Sequence, residues 1–305
     1  MENVGLFYLG DPSSLSQERV QLGIDFLRRH DLEIFNQDII TSELSAQQKA
    51  ENFNNLYRNP RVDIMMSFWG GRDTNASLNY IDYDYIKNNP KPIVGYSDTS
   101  AILLAVNKLT SLNTFYGPSF VSFTKGFGED FCVKSLLATL RRETLFWKPD
   151  KINLDAKCYL NNRLEIESNR CMKVFKHGQV QGVGVVSCIS TLSALIGTSY
   201  FPDFENKILF LEQSDTSRFS GLKRYMAQFD QTGCFDNISG LVFSKFASNG
   251  GITEHNLLDM LDLYFGHREI PIIYNLDFGH TDPISTLTIG RQYRLDTNNL
   301  TLEYV

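Results

Sequence analysis

The stretch KPIVGYSDTSAILLAVNKL, which begins at Lys91, sets a serine where a short buried strand stops and a helix starts. Pro92-Ile93-Val94 reads as the strand end and Gly95 to Asp98 as a sharp turn. From Thr99 the spacing predicts a helix with Ile102, Leu103, Val106 and Leu109 on one apolar face. A turn of this kind pushes a hydroxyl out of the sheet edge and leaves the amide N–H groups of the new helix free to hold a developing negative charge. Ser97 is therefore a candidate nucleophile. The competing reading is that Ser97 or Asp98 only caps the helix. A nucleophile also requires a base, and the base requires a group that orients it.

Of the five histidines, four have ordinary settings. His30 follows Arg28 and Arg29 at a helix end, where positive charge is favourable, and His177, His255 and His267 lie among polar neighbours. His280 differs, because NLDFGHTDP places it just after an apolar strand in a loop that has no need of an imidazole for packing. It is either a candidate base or a residue that satisfies loop backbone groups. Glu212 closes the apolar run KILFLE, and a carboxylate at the end of a buried strand must find a donor. That donor is either an arginine such as Arg218 or Arg224, or the Nδ1–H of His280. The second choice would fix the tautomer whose Nε2 can take the Ser97 proton. The chain order Ser, Glu, His is one that unrelated triads use.

The elements that must position these residues can be read in outline. A chain of 305 residues suggests two domains. The first third alternates short apolar runs (VGLFYLG, LEIFN, VDIMMSFWGG) with helical patterns (SQERVQLGIDFLRRH, SAQQKAENFNNLYRN), which is the rhythm of a doubly wound, mostly parallel α/β sheet. In such sheets ligands bind where strand C-terminal ends meet the following loops, so FWGGRDTN and GYSD could share one crevice. Residues 1–125 form this N-terminal domain, 126–178 a polar crossover, and 179–305 a second, mixed α/β domain that ends in antiparallel strands. In the second domain STLSALIGTSYFPD reads as a helix after the strand GQVQGVGVVS, and the terminal strand pair is STLTIGRQYRLD with LTLEYV.

Composition excludes several classes. The net charge of −6 carries no basic stripe for a nucleic acid polymer. The N-terminus MENVGLFYLGDPSS has no basic, long-apolar leader, and no segment reaches the ~18 apolar residues that span a bilayer, so a cytoplasmic protein is expected. The five cysteines never form a C-x-x-C pair, and neither they nor the histidines show metal-ligand spacing, so they read as reduced packing residues with no metal and no cofactor. A dinucleotide-binding dehydrogenase is excluded by FYLGDPSS, which has one glycine where the fingerprint requires three.

Several motifs in one order resemble the LD-carboxypeptidase and microcin C immunity family of serine peptidases, over nearly the whole chain: GGRDTN, YIDYDYIKNNPKPIVGYSD, TFYGP, STLSALIGTSYFPD, KILFLE and FGHTDP. The resemblance implies that Ser97 is the nucleophile, Glu212 the orienting acid and His280 the base. It also implies an oxyanion hole of backbone N–H groups from Asp98 and the Gly70-Gly71 turn. Two departures stand out. Ser187-Cys188-Ile189-Ser190 replaces the family's Gly-Gly-Asn-Leu, and Gln213 occupies a slot that is often acidic.

The reading that follows is a serine-type carboxypeptidase with its active site at the domain interface. It would remove a terminal D-amino acid from peptidoglycan tetrapeptides. The alternatives are a microcin-immunity type of hydrolase acting on peptidyl or aminoacyl nucleotides, and a non-catalytic binding module on the same scaffold. A free substrate carboxylate would call for a bidentate arginine, Arg72 or Arg218, unless these pair with Asp73 or Asp215. A homodimer is the expected assembly.

Overall fold

The computed structural model describes residues 1–10, 15–37, 43–125, 129–143, 146–147, 171–214, 218–246 and 250–305. Two sheets carry the architecture. The first is built from β1 (Glu2–Phe7), β2 (Leu32–Ile34), β3 (Ile64–Ser67), β4 (Ile93–Gly95) and β5 (Thr114–Tyr116). These five strands are parallel in the order β5-β4-β3-β1-β2. Between them run α1 (Gln17–Arg28), α2 (Ala46–Arg58), α3 (Thr74–Ser77), α4 (Tyr83–Asn88) and α5 (Ser100–Thr110). Strands buried on both faces read as unbroken apolar runs, and β3, Ile-Met-Met-Ser, is buried at all four positions. Helix α1 starts at Ser16, whose side chain accepts from the Arg19 amide, and α2 starts with a reciprocal capping box between Ser45 and Gln48.

After α6 (Glu129–Leu140), β6 (Phe146–Trp147) and β7 (Lys173–Lys176) already belong to the second sheet, while the rest of the expected crossover over 126–178 lies largely outside the described residues. The second sheet continues with β8 (Gln179–Cys188), α7 (Ile189–Ala194), β9 (Lys207–Glu212), α8 (Phe219–Gln231), β10 (Gly240–Ser244), α9 (Glu254–Phe265) and β11 (Ile272–Leu276). β8, β9, β10 and β11 are parallel neighbours, with antiparallel strands on both flanks. The mixed α/β character of both halves follows the expectation from the sequence.

Three local readings change. The helix expected over STLSALIGTSYFPD ends at Ala194, and Gly197 beyond it takes a positive φ of 82° that an L-residue helix does not use. Leu109, expected on the apolar face of α5, is exposed, whereas Ser100 to Val106 are buried around the whole helix. The segment STLTIGRQYRLD is two strands, β12 (Leu287–Ile289) and β13 (Gln292–Asp296), separated at Gly290, whose φ is 90°. β13 pairs with β8 and with β14 (Thr301–Tyr304), but β12 crosses to the first sheet and adds to β5 as an antiparallel edge. No described helix is long and apolar enough to cross a membrane.

Candidate active site

The residues singled out by sequence stand at the C-terminal ends of parallel strands in both sheets, where loops can converge on a ligand. Ser97 lies two residues past β4 and is half-buried. Its φ is +62°, a left-handed conformation that costs a serine roughly 1–2 kcal/mol and is held by its surroundings. The residues that precede the short 3₁₀ turn Ser97–Thr99 and α5, Tyr96 and Thr99, make no side-chain cap hydrogen bond. The Asp98 carboxylate accepts from the Thr74 amide at 2.8 Å, tying the turn to the start of α3.

The Gly70-Gly71 turn follows β3 and packs directly against this serine. A Cβ at Gly70 would stand 2.9 Å from Ser97 Cβ, 3.1 Å from its Oγ and 3.5 Å from the Asp98 amide nitrogen. Only glycine permits that approach. Gly10, just past β1, supports the turn from behind, since a Cβ there would fall 2.4 Å from the Gly70 carbonyl oxygen.

Glu212 is the last residue of β9, and its side chain has no solvent exposure. Neither arginine proposed as its partner reaches it. One carboxylate oxygen lies 2.7 Å from His280 Nδ1 and the other accepts from the Tyr116 hydroxyl at 2.5 Å. Because a carboxylate only accepts, His280 donates through Nδ1–H, which in the neutral ring leaves Nε2 as the acceptor. His280 is 10% exposed, and its ring meets the ring of Tyr96, the residue before Ser97, at 5.2 Å in a T-shaped contact. Gly279, with φ +85°, gives the carboxylate its room, because a Cβ there would lie 2.5–2.7 Å from Glu212 side-chain atoms. The loop beyond is fixed by a buried ion pair in which Lys125 Nζ donates to both oxygens of Asp282 at 2.7 Å.

Tyr116, the last residue of β5, was not expected at the site. Its hydroxyl is fully buried, accepts from the Ser97 amide at 3.1 Å and donates to Glu212. Burial first, and the Glu212 charge second, push the phenol well above its ordinary range, so it stays a neutral donor. The sequence signal was its place in TFYGP, a motif used above only as a family mark. Cys188, part of the Ser187-Cys188-Ile189-Ser190 departure expected to reshape the loop lining the crevice, is also a neighbour of the site. It ends β8 in register with Glu212, and one ligand atom from each of Cys188, Glu212 and His280 lies within 4.8 Å of the others. These residues have no metal-ligand spacing in the sequence, and it is sheet register that supplies their proximity.

The other assignments separate. Arg72 is exposed at the end of the glycine turn and makes no ion pair among the described residues, because Asp73 pairs with the buried Lys49 at 3.0 Å. Arg218 is exposed at the start of α8, its carbonyl accepting from Gln213 Nε2 at 3.4 Å, while Asp215 lies outside the described residues. His177, His255 and His267 are exposed, as expected. Cys132, Cys188 and Cys234 are buried and Cys171 partly so, all as free thiols, while Cys158 lies outside the described residues.

Residues 4–117 match the LD-carboxypeptidase N-terminal domain and residues 181–295 the LD-carboxypeptidase C-terminal domain. The microcin C7 self-immunity protein MccF of Escherichia coli is 28% identical, across 98% of this chain and 91% of that one. A crystal structure of an MccF-like protein from Bacillus anthracis superposes with a TM-score of 0.91 at 26% identity, covering 100% of this chain and 96% of the other. MccF in complex with aspartyl sulfamoyl adenosine superposes with a TM-score of 0.87 at 26% identity and the same coverage.

Proposed function

The chain belongs to the LD-carboxypeptidase family, and from that premise we propose that it is a serine hydrolase of amide bonds with Ser97 as nucleophile, His280 as base and Glu212 as the carboxylate orienting that base. The observation that carries this reading is the 2.7 Å contact of His280 Nδ1 with a buried carboxylate, beside a serine held at positive φ where a helix begins. His280 Nε2 takes the Ser97 proton as Oγ attacks the carbonyl. The tetrahedral oxyanion rests on the backbone N–H groups of Asp98 and the Gly70-Gly71 turn. His280 then returns the proton to the leaving amine, and water repeats the sequence on the acyl-enzyme. Glu212 stabilises the transient imidazolium without taking a proton. One such oxyanion donor is worth about 2.7–4 kcal/mol of transition-state stabilisation.

The substrate class we assign is an acyl group in amide linkage to a nucleotide-like moiety. The end-to-end correspondence with MccF, and the aminoacyl sulfamoyl nucleoside held by one of its structures, support that choice. A second reading, release of a terminal D-amino acid from a tetrapeptide, draws on one observation: Arg72 stands exposed on the glycine turn with no ion pair among the described residues, available to a terminal carboxylate.

The test is a hydrolysis screen that sets aminoacyl sulfamoyl and phosphoramidate nucleotides beside muropeptide tetrapeptides. The expected result is cleavage of the nucleotides and a fall of at least about 10³-fold in Ser97→Ala, which keeps its fold. Activity of Ser97→Ala within tenfold of the parent would remove Ser97 from the mechanism. Preferred cleavage of tetrapeptides, with a KM that rises in Arg72→Ala only when the terminal carboxylate is free, would select the second reading.

A further inference from the structure

The sulfur of Cys188 has no part in the mechanism above, yet it is fully buried against the two residues that would control proton transfer. β8 and β9 run parallel with Cys188 directly opposite Glu212, so both side chains leave the same face of the sheet. The Ser190 and Ser214 amides donate to the sulfur, and Ser190 Oγ lies 3.3 Å from it. Burial and the Glu212 charge keep the thiol protonated in the free enzyme.

We propose that Cys188, Glu212 and His280 form a latent site for a thiophilic divalent cation such as zinc or cadmium, and that its occupancy switches the enzyme off. A thiol, an imidazole and a carboxylate make a donor set that suits zinc. A tetrahedral ion with bonds of ~2.0–2.3 Å separates its ligand atoms by roughly 3.3–3.6 Å, so atoms already within 4.8 Å need only side-chain adjustment to converge.

Charge favours the arrangement. One thiolate and one carboxylate neutralise a divalent ion, and a neutral cluster is the form a buried position tolerates. The step involves no redox change. The thiol releases one proton to solvent as the sulfur–metal bond forms. Glu212 exchanges the Nδ1–H for the metal. The imidazole ligates through Nδ1 and moves its single proton to Nε2. Nε2 then carries a hydrogen and cannot accept one from Ser97. The inhibition rests on the proposed roles of Ser97, Glu212 and His280, whereas the binding does not.

The experiment uses the full chain stripped of metal, titrated with cadmium and followed by calorimetry and by ultraviolet sulfur-to-cadmium absorption. One cadmium per chain is expected, with the absorption band. Cys188→Ala should lose the band and weaken binding by at least about a hundredfold, more than the loss of an outer-shell partner costs. Zinc should inhibit parent hydrolysis, and Cys188→Ala should keep parent turnover and resist zinc. Equal cadmium affinity in the parent and Cys188→Ala would overturn the site, and binding without inhibition would overturn the switch. Should Cys188→Ala fail to fold, His280→Ala, which leaves the thiol in place, must show the same loss of affinity, and unchanged affinity there would overturn the proposal. If no substrate is hydrolysed the proposed function fails, while the binding titration still decides the site.

Discussion

Replacing Tyr116 with phenylalanine keeps the buried ring and its T-shaped contact with Phe278 at 6.2 Å, and removes one oxygen. That oxygen holds the amide of the proposed nucleophile at 3.1 Å and Glu212, the acid proposed to orient its base, at 2.5 Å, so its loss affects both sheets at once. An orphaned buried amide costs about 1–3 kcal/mol and a hydrogen bond to a charged group is worth about 1.5–3 kcal/mol. No longer burying the hydroxyl offsets about 1–2 kcal/mol. The net loss is about 2–4 kcal/mol, which for a chain of 305 residues corresponds to a fall in Tm of roughly 3–6 °C. With one anchor gone, Glu212 can rotate and the Ser97 turn can relax, so kcat should fall about 10–100-fold, or 1.4–2.7 kcal/mol, with KM nearly unchanged. The assay is steady-state hydrolysis of whichever substrate the parent cleaves, combined with thermal unfolding, in a double-mutant cycle with Glu212→Gln. Residues that share a hydrogen-bond network should couple by at least about 1 kcal/mol. Strict additivity in the cycle, or a variant with parent turnover and parent Tm, would refute the reasoning.

Gly70→Ala should lower kcat by about 10²–10³-fold, the scale of losing an oxyanion donor, because the new Cβ falls 2.9 Å from Ser97 Cβ. Its backbone φ is not positive, so the stability cost should stay within the ~1–3 kcal/mol of overpacking, and unchanged kcat would remove this turn from the oxyanion hole. Alkaline stability follows the buried phenols: burial pushes Tyr57 up to about 12, and Tyr116 and Tyr293 well above the ordinary 10. Below pH 10 folded and unfolded states both hold these protons. Above it the unfolded chain releases them first, so Tm should fall as pH rises, the Tyr57 share ending near 12 and disappearing in Tyr57→Phe. A Tm independent of pH between 9 and 11.5 would contradict the burial of these hydroxyls.

Ser97, Glu212 and His280 were legible because each is a polar residue where an apolar run stops, which is how strand ends facing a crevice look in one dimension. The partners of those residues were harder to read. Periodicity marks Tyr116 as a buried strand residue, but the destination of its hydroxyl depends on a carboxylate 96 positions away in the other sheet. Cys188 reads as a small hydrophobe by type, and only the register of β8 against β9 brings it beside Glu212. The split of STLTIGRQYRLD into two strands was announced by Gly290, yet the transfer of the first half to another sheet follows from the open edge of β5, which periodicity does not represent.

That transfer has a consequence for how the polypeptide can be divided. β12 begins seven residues after His280 and pairs Leu287 with Tyr116, so the loop carrying the proposed base is stitched to β11 on one side and to the opposite sheet on the other. Severing the chain between residues 126 and 178 would leave an N-terminal piece whose sheet ends in an unpaired β5, an open edge prone to pairing with other chains. The C-terminal piece would carry a strand with no home of its own. Neither piece is closed by itself and each carries what the other lacks, so co-expressed halves should reassemble into one enzyme, and a gene fragment ending after β5 should yield aggregate instead of a miniature N-terminal domain.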